Sequence, residues 1–384
     1  MKEIQLCRQC VNLSTRPNVS INADGICSVC EYFHTGADWD TRNAEIQEIC
    51  QWGRENTKSS YDCIVTVSGG KDSMRQAFFA RDNLGLNPLL VSAVYPPEQL
   101  HERGAKNLEN LISHGFDCVT LSLNPQIYKQ LMRTCIDRFG NICNHSEMSL
   151  YAIPIHAAIA YQIPLVFLGE NPAQTIGEKH GRLDGDASQM RHANTLMGGN
   201  ADRFLDDKIG PQDLHFYNYP ADTDVQKAKL RIIYLGYYIE DWSGKNNAEF
   251  AISKGLKTRE DAPENTGDLW GVSAVDEDFR IVNQHIKYLK FGFGHVTDQV
   301  MERIHAGKIT REEGLKLVEQ FDQGCGDHYI EKLADFVEMP PEALRKKIEK
   351  TRSLDIWSQN KDGNWALNRG FYRPEQVKEK AANG

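Results

Sequence analysis

Short apolar runs alternate with longer amphipathic stretches through the first two-thirds of the chain. Cys63–Val67, Leu89–Val94, Cys118–Leu123 and Leu165–Leu168 are rich in branched or apolar side chains and too short for helices, so they read as buried strands. Between them the spacing predicts helices over the segment MRQAFFARDNLG, ending near Gly85, and over 103–114, 126–139 and 146–161, the last kinked at Pro154. Such alternation predicts an α/β fold with a doubly wound parallel sheet. A helix over 41–56 leads into it, and another is expected over 224–235 before an irregular region opens at Asp241-Trp242. From Thr297 the pattern turns helical at 297–305, 310–320, 327–336 and 341–352, with Pro340-Pro341 starting the last. The expected organisation is 1–57, 58–240 and 241–384: a cysteine-bearing segment with its linking helix, an α/β domain, and a mainly helical C-terminal module. No internal repeat is visible. Residues 172–222 have weak periodicity and much Gly, Asp and Asn, as active-site or disordered loops do. Arg182, Arg191 and His192 there read as surface residues.

The first strand runs directly into Ser68-Gly69-Gly70-Lys71-Asp72-Ser73. Strand, glycine turn and helix together collect anions. The glycines let backbone N–H groups approach phosphate oxygens, and the helix start adds its positive dipole end. Ser68 and Ser73 add hydroxyl donors, and Lys71 adds charge. Asp72 either orients a divalent cation or caps the helix. The loop is not a Walker A motif, since no glycine stands five residues before Gly70 and Asp72 follows the lysine. Ligands of such sheets bind at the carboxyl ends of strands, which adds Ser92, Val94 and Gly169 to the nucleotide candidates. Glu170 and Asn171 are substrate candidates or a polar loop after a strand. Lys287, Tyr288 and Lys290 either hold an anionic sugar nucleotide or form a solvated helix face.

Cys7-x-x-Cys10 and Cys27-x-x-Cys30 stand 16 residues apart, a spacing suited to a metal site. Two such knuckles complete a tetrahedral four-sulfur shell, which suits a structural Zn²⁺ with no open coordination position. A redox dithiol needs only one of the pairs. Gly25 fits the turn that aims the second knuckle.

The 384 residues carry a formal net charge of −9, with 40% hydrophobic and 25% charged residues. That balance is ordinary for a globular chain. The acidic total argues for a small-molecule substrate and against a nucleic acid, whose phosphates call for a basic face. No stretch has transmembrane length, and the segment MKEIQLCRQCVNLS lacks an apolar signal core. The expected location is cytoplasmic, without membrane insertion.

The hexapeptide SGGKDS resembles the pyrophosphate-binding loop of PP-loop ATPases, which cleave ATP between the α and β phosphates. Together with CRQCVNLSTRPNVSINADGICSVC, LGEN at 168–171 and KYLKFGFGHVTD at 287–298, it makes the chain similar to the N-acetyl sugar amidotransferases. That family serves bacterial surface-polysaccharide, O-antigen and nonulosonic acid pathways. The resemblance implies conversion of an acetamido group on a nucleotide-linked sugar to acetamidino, using ATP and Mg²⁺. It also implies ammonia from a separate glutaminase subunit, because no glutaminase nucleophile motif is recognisable here. A tRNA-modifying PP-loop enzyme, either a thiolase or a lysidine-type synthetase, is the rival enzyme reading. Thiolation would need a reactive cysteine near the loop, for which Cys135 and Cys143 are the candidates. A non-catalytic adaptor that binds ATP through the same motifs is the rival from another class.

Overall fold

A computed structural model describes residues 4–33, 36–177, 182–192 and 196–367. The chain divides into two compact units. One comprises residues 37–259 and 272–278; the other comprises the remaining N-terminal, middle and C-terminal segments.

The first unit is built on a five-stranded sheet in the order β3-β2-β1-β4-β5. Its strands are β1 (Cys63–Thr66), β2 (Pro88–Val94), β3 (Cys118–Ser122), β4 (Leu165–Leu168) and β5 (Arg231–Tyr234), all paired in parallel. Cys63, Ile64, Val65 and all four residues of β4 are buried, because helices cover both faces of a parallel sheet. Burying each large side chain contributes about 1.5–3 kcal/mol. The strand order reverses direction between β1 and β4, so the switch point of the sheet lies at their carboxyl ends.

Helix Trp39–Asn56, capped by Asp38, lays Ile46, Ile49 and Cys50 into the same core as Val65 and Leu165. Gly53 permits the close approach, since a Cβ there would stand 2.6 Å from Leu165 Cδ2. This packing puts the expected linking helix inside the α/β unit. The units therefore divide near residues 36 and 259, not at 57/58 and 240/241. Helix Asn144–Tyr161 contains Pro154, as expected. Two expectations fail. The helix predicted over 224–235 is a short helix, Asp222–Lys227, followed by edge strand β5, and the region after Trp242 contains helix Gly244–Ser253.

In the second unit the cysteine knuckles pack with Val296, Val300, Met301, Leu315 and Val318. Helices His295–His305, Arg311–Phe321, Asp327–Phe336 and Pro341–Glu349 follow the predicted pattern closely. Buried Asp322 accepts from the N–H groups of Gly294 (2.6 Å) and Thr297 (2.9 Å), satisfying the start of helix His295–His305. No helix among the described residues is long and apolar enough to cross a membrane.

Candidate functional site

The loop following β1 is held from within. The Ser68 N–H donates to Ser73 Oγ at 2.8 Å, folding the loop onto the first turn of helix Lys71–Phe78. Gly69 has φ +87°, and a Cβ there would lie 2.8 Å from the backbone nitrogen of Leu108. Only glycine meets both demands. Lys71 Nζ lies 2.6 Å from Asp72 Oδ2, and the other carboxylate oxygen of Asp72 accepts from Asn247 Nδ2 at 2.8 Å. Ser68, Gly70, Lys71, Asp72 and Ser73 line one pocket with Val272, Ala274, Val275 and Asp276.

Asn247 and residues 272–278 escaped the sequence reading. Ser243 caps helix Gly244–Ser253 by accepting from the Asn246 N–H at 3.0 Å, and that Ser before a helical run was the available signal. Fully buried Asn247 fixes Asp72, which in turn holds Lys71. Under the ATP use that the resemblance implies, Asn247→Ala is expected to lower ATP turnover about tenfold, the effect of one lost bond to a charged group. Steady-state AMP formation checks this, with thermal melting to verify the fold.

The other sequence candidates are distributed unevenly. Ser92 is buried within β2 and Val94 ends that strand, beside the loop but outside the described pocket lining. Gly169, at the switch point, is closely covered: a Cβ there would come within 3.1 Å of Gln76 Nε2. Glu170 is exposed. Asn171 is a loop tie. Its Nδ2 donates to the carbonyls of Arg182 (2.7 Å) and Asp184 (2.8 Å), and its Oδ1 accepts from the Ala173 N–H (2.9 Å). With its whole amide engaged, it has little left for a substrate.

Lys287, Tyr288 and Lys290 belong to helix Phe279–Phe291 of the other unit and are absent from the described pocket lining. Lys287 Nζ meets Asp298 at 2.9 Å, and Arg16 bonds the same carboxylate. Burial lowers the pKa of Lys287. Burial works against the Asp298 charge, yet Arg16 and Lys287 hold its carboxyl well below the usual range. Tyr288 packs edge-on against Trp357, with ring centroids 5.2 Å apart. These contacts hold Lys287 and Tyr288, both half-buried, against neighbouring side chains, so neither stands free on a solvated face.

The four N-terminal cysteines converge. Their sulfurs all lie within 4.8 Å of one another, and all four residues are buried. Cys7 Sγ is 3.8 Å from Cys30 Sγ, and Cys10 Sγ is 3.6 Å from Cys27 Sγ. The N–H groups of Cys27 and Asn12 each point at a sulfur, at 3.3 Å. Gly25 makes the expected turn at φ +77°. The Arg311 guanidinium clamps the knuckle through the carbonyls of Cys7 and Cys10. Hydrogen bonding with Cys10 lowers Cys27 to about 7 and also lowers Cys7, while Cys10 is raised by its bond with Cys27. A cation resolves this sharing by taking all four sulfurs as thiolates. The donor set is that of a metal centre. Buried Cys135 is different: burial pushes its thiol up to about 12, and its neighbour His145 down to about 3.

The parallel sheet, its switch point, and SGGKDS at the end of the central strand make an α/β protein with a strand–glycine turn–helix loop, the arrangement that the resemblance to PP-loop ATPases implies. Residues 273–371 match the family described as LPS biosynthesis protein WbpG-like, C-terminal domain. That match spans 99 of the 384 residues and agrees with the resemblance seen in the sequence.

No curated protein matches the chain by sequence. Solved structures that it resembles include the U34-tRNA thiolase NcsA of Methanococcus maripaludis with its 4Fe–4S cluster, at 14% identity over 67% of this chain and 74% of that one, TM-score 0.28. The NH3-dependent NAD synthetase of Campylobacter jejuni subsp. jejuni NCTC 11168 is 13% identical over 59% of this chain and 100% of its own, TM-score 0.28. NMN synthetase of Francisella tularensis is 14% identical over 59% and 99%, TM-score 0.28. Likenesses at this level carry nothing about activity.

Proposed function

We propose that the protein is an ATP-dependent amidotransferase that converts an acetamido group of a nucleotide-linked N-acetyl sugar to acetamidino. The observation carrying this reading is the combination in one chain of the SGGKDS pocket and the WbpG-like domain. The chemistry needs ATP because an amide carbon is a poor electrophile with a poor leaving group. The amide oxygen attacks the α phosphorus and pyrophosphate leaves. Ammonia then adds to the imidate carbon, the C–O bond breaks, and AMP departs with the former amide oxygen.

The loop N–H groups and hydroxyls of Ser68 and Ser73 hold phosphate oxygens, and Lys71 stabilises charge as the phosphoryl bond breaks. Asp72 and Asp276 are the carboxylates of the pocket lining, oxygen donors of the kind Mg²⁺ takes. Mg²⁺ bound there would screen the phosphate charge during adenylation. In the cysteine centre we assign Zn²⁺. Zn–S bonds of about 2.3 Å in a tetrahedron separate sulfurs by roughly 3.8 Å, close to the 3.6 and 3.8 Å pairs seen here. Ammonia is supplied by a separate glutaminase, and the enzyme works in the cytoplasm without binding nucleic acid. The tRNA-thiolase reading is disfavoured because both candidate cysteines, Cys135 and Cys143, are buried.

The test is to incubate the protein with ATP, Mg²⁺ and ¹⁵N-ammonia over a panel of nucleotide-linked N-acetyl sugars. The expected result is a labelled amidine together with AMP for at least one sugar. Labelled product from none, with tRNA stimulating pyrophosphate release, would transfer the assignment to the tRNA-modifying class.

A further inference from the structure

The loop pocket has a second wall. Residues 272–278 belong to the α/β unit and line the pocket through Val272, Ala274, Val275 and Asp276. Four consecutive carbonyls of this strap are engaged. Arg259 Nη2 donates to those of Ala274 (2.8 Å) and Glu277 (3.0 Å), Arg103 Nε to that of Val275 (2.8 Å), and the His101 N–H to that of Asp276 (2.9 Å). The Arg259 side chain is 1% exposed and is closed off by the Asp278 carboxylate at 2.6 Å. The N–H groups of Ala274 and Val275, by contrast, make no hydrogen bond among the described residues.

Ala274 sits at φ +46°, a left-handed conformation that costs a non-glycine residue about 1–3 kcal/mol and persists only when its surroundings enforce it. Here the arginine bonds to the carbonyls enforce it. Left-handed turns of this kind converge successive N–H groups into concavities that bind anions.

Helix Glu102–Ser113 sets the distance between the two walls. Gly69 of the loop rests against the backbone of Leu108, and Asp276 of the strap rests against Gly104, where a Cβ would stand 2.4 Å from Asp276 Cα. Positions 104 and 108 lie one turn apart on one helix face, a rise of about 5–6 Å. Asn107, between them, exchanges two bonds with Lys257 and ties down the segment leading to Arg259.

We propose that residues 272–278 form a second phosphate-holding wall. The N–H groups of Ala274 and Val275 donate to oxygens of the same nucleotide that the loop holds, and Arg259, Arg103 and Gly104 act as positioning residues. This rests on the reading of the pocket as an ATP site. The strap also carries the Asp276 carboxylate, so magnesium accompanies the phosphates in the test.

The test is calorimetric titration of the full chain with Mg²⁺ plus ATP, and separately with Mg²⁺ plus inorganic pyrophosphate. Gly104→Ala and Arg259→Gln are each expected to weaken both ligands by the same factor, about tenfold or more. Arg259→Lys, which keeps the charge and loses the fork, should fall between. Thermal melting verifies the fold. Alanine is the better helix former, so Gly104→Ala decides the matter if Arg259→Gln does not fold. Folded variants that bind as the wild type does, or that lose ATP but not pyrophosphate, would overturn the phosphate-holding wall and leave the loop assignment intact. A wild-type chain that binds neither ligand would overturn the ATP reading itself.

Discussion

Lys71→Ala is expected to reduce AMP formation by about 10²–10³-fold, the usual consequence of removing a group aimed at developing charge. The lysine stands at the first position of helix Lys71–Phe78, paired with Asp72 and lining the pocket. Its backbone role survives the substitution, because alanine suits a helix start at least as well. The variant should therefore melt like the wild type, and a discontinuous AMP assay should separate loss of chemistry from loss of fold. Near-normal turnover would remove Lys71 from the reaction. Asn247→Ala should produce a smaller loss in the same direction, since it loosens the partner of Lys71 and leaves the cation in place.

Cys27→Ser is expected to have the largest effect on stability. The buried residues of the N-terminal segment's shared core are chiefly its four cysteines with Val11, Val19 and Val29, too few to order the segment without a metal. Structural zinc contributes apparent binding free energies of about 10–16 kcal/mol in small domains, and there that energy is largely folding energy. The variant should lose its ion, and Val296, Val300 and Leu315 should lose the knuckles packed against them. Plasma mass spectrometry should find one zinc per wild-type chain and far less in the variant. Limited proteolysis should then cut within residues 4–33 of the variant while sparing the wild type. Full metal content with unchanged protection would show that the sulfurs do not act as a metal centre.

What the sequence disclosed depended on how local the cause was. SGGKDS and the two C-x-x-C pairs carry their chemistry within a few residues, and the fold closes each as expected. The strands of the central sheet were legible because burial on both faces forces a continuous apolar run. Strand β5 was not, because RIIY is four residues long and follows a helical segment, and periodicity cannot separate a short buried strand from a helix end. Helix Gly244–Ser253 begins with Gly-Lys-Asn-Asn, whose glycine and two asparagines are weak helix formers and hid it despite its serine cap. Asn247 reaches Asp72 across 175 residues of sequence, and the strap meets the loop from farther still. No local pattern encodes such contacts. Asn171 stayed open for the opposite reason. An asparagine after a strand reads equally well as a ligand or as a turn residue, and only its three loop bonds decide for the turn.

If ATP activates an amide oxygen, the fate of that oxygen reveals it. The protein would be supplied with ATP, Mg²⁺, ammonia and an accepted N-acetyl sugar nucleotide carrying ¹⁸O in its acetamido carbonyl, and the AMP analysed by mass spectrometry. The expected result is that the label moves into the phosphate of AMP, one ¹⁸O for each amidine formed. Unlabelled AMP alongside a formed amidine, with the ¹⁸O recovered in water or pyrophosphate, would contradict adenylation of the amide.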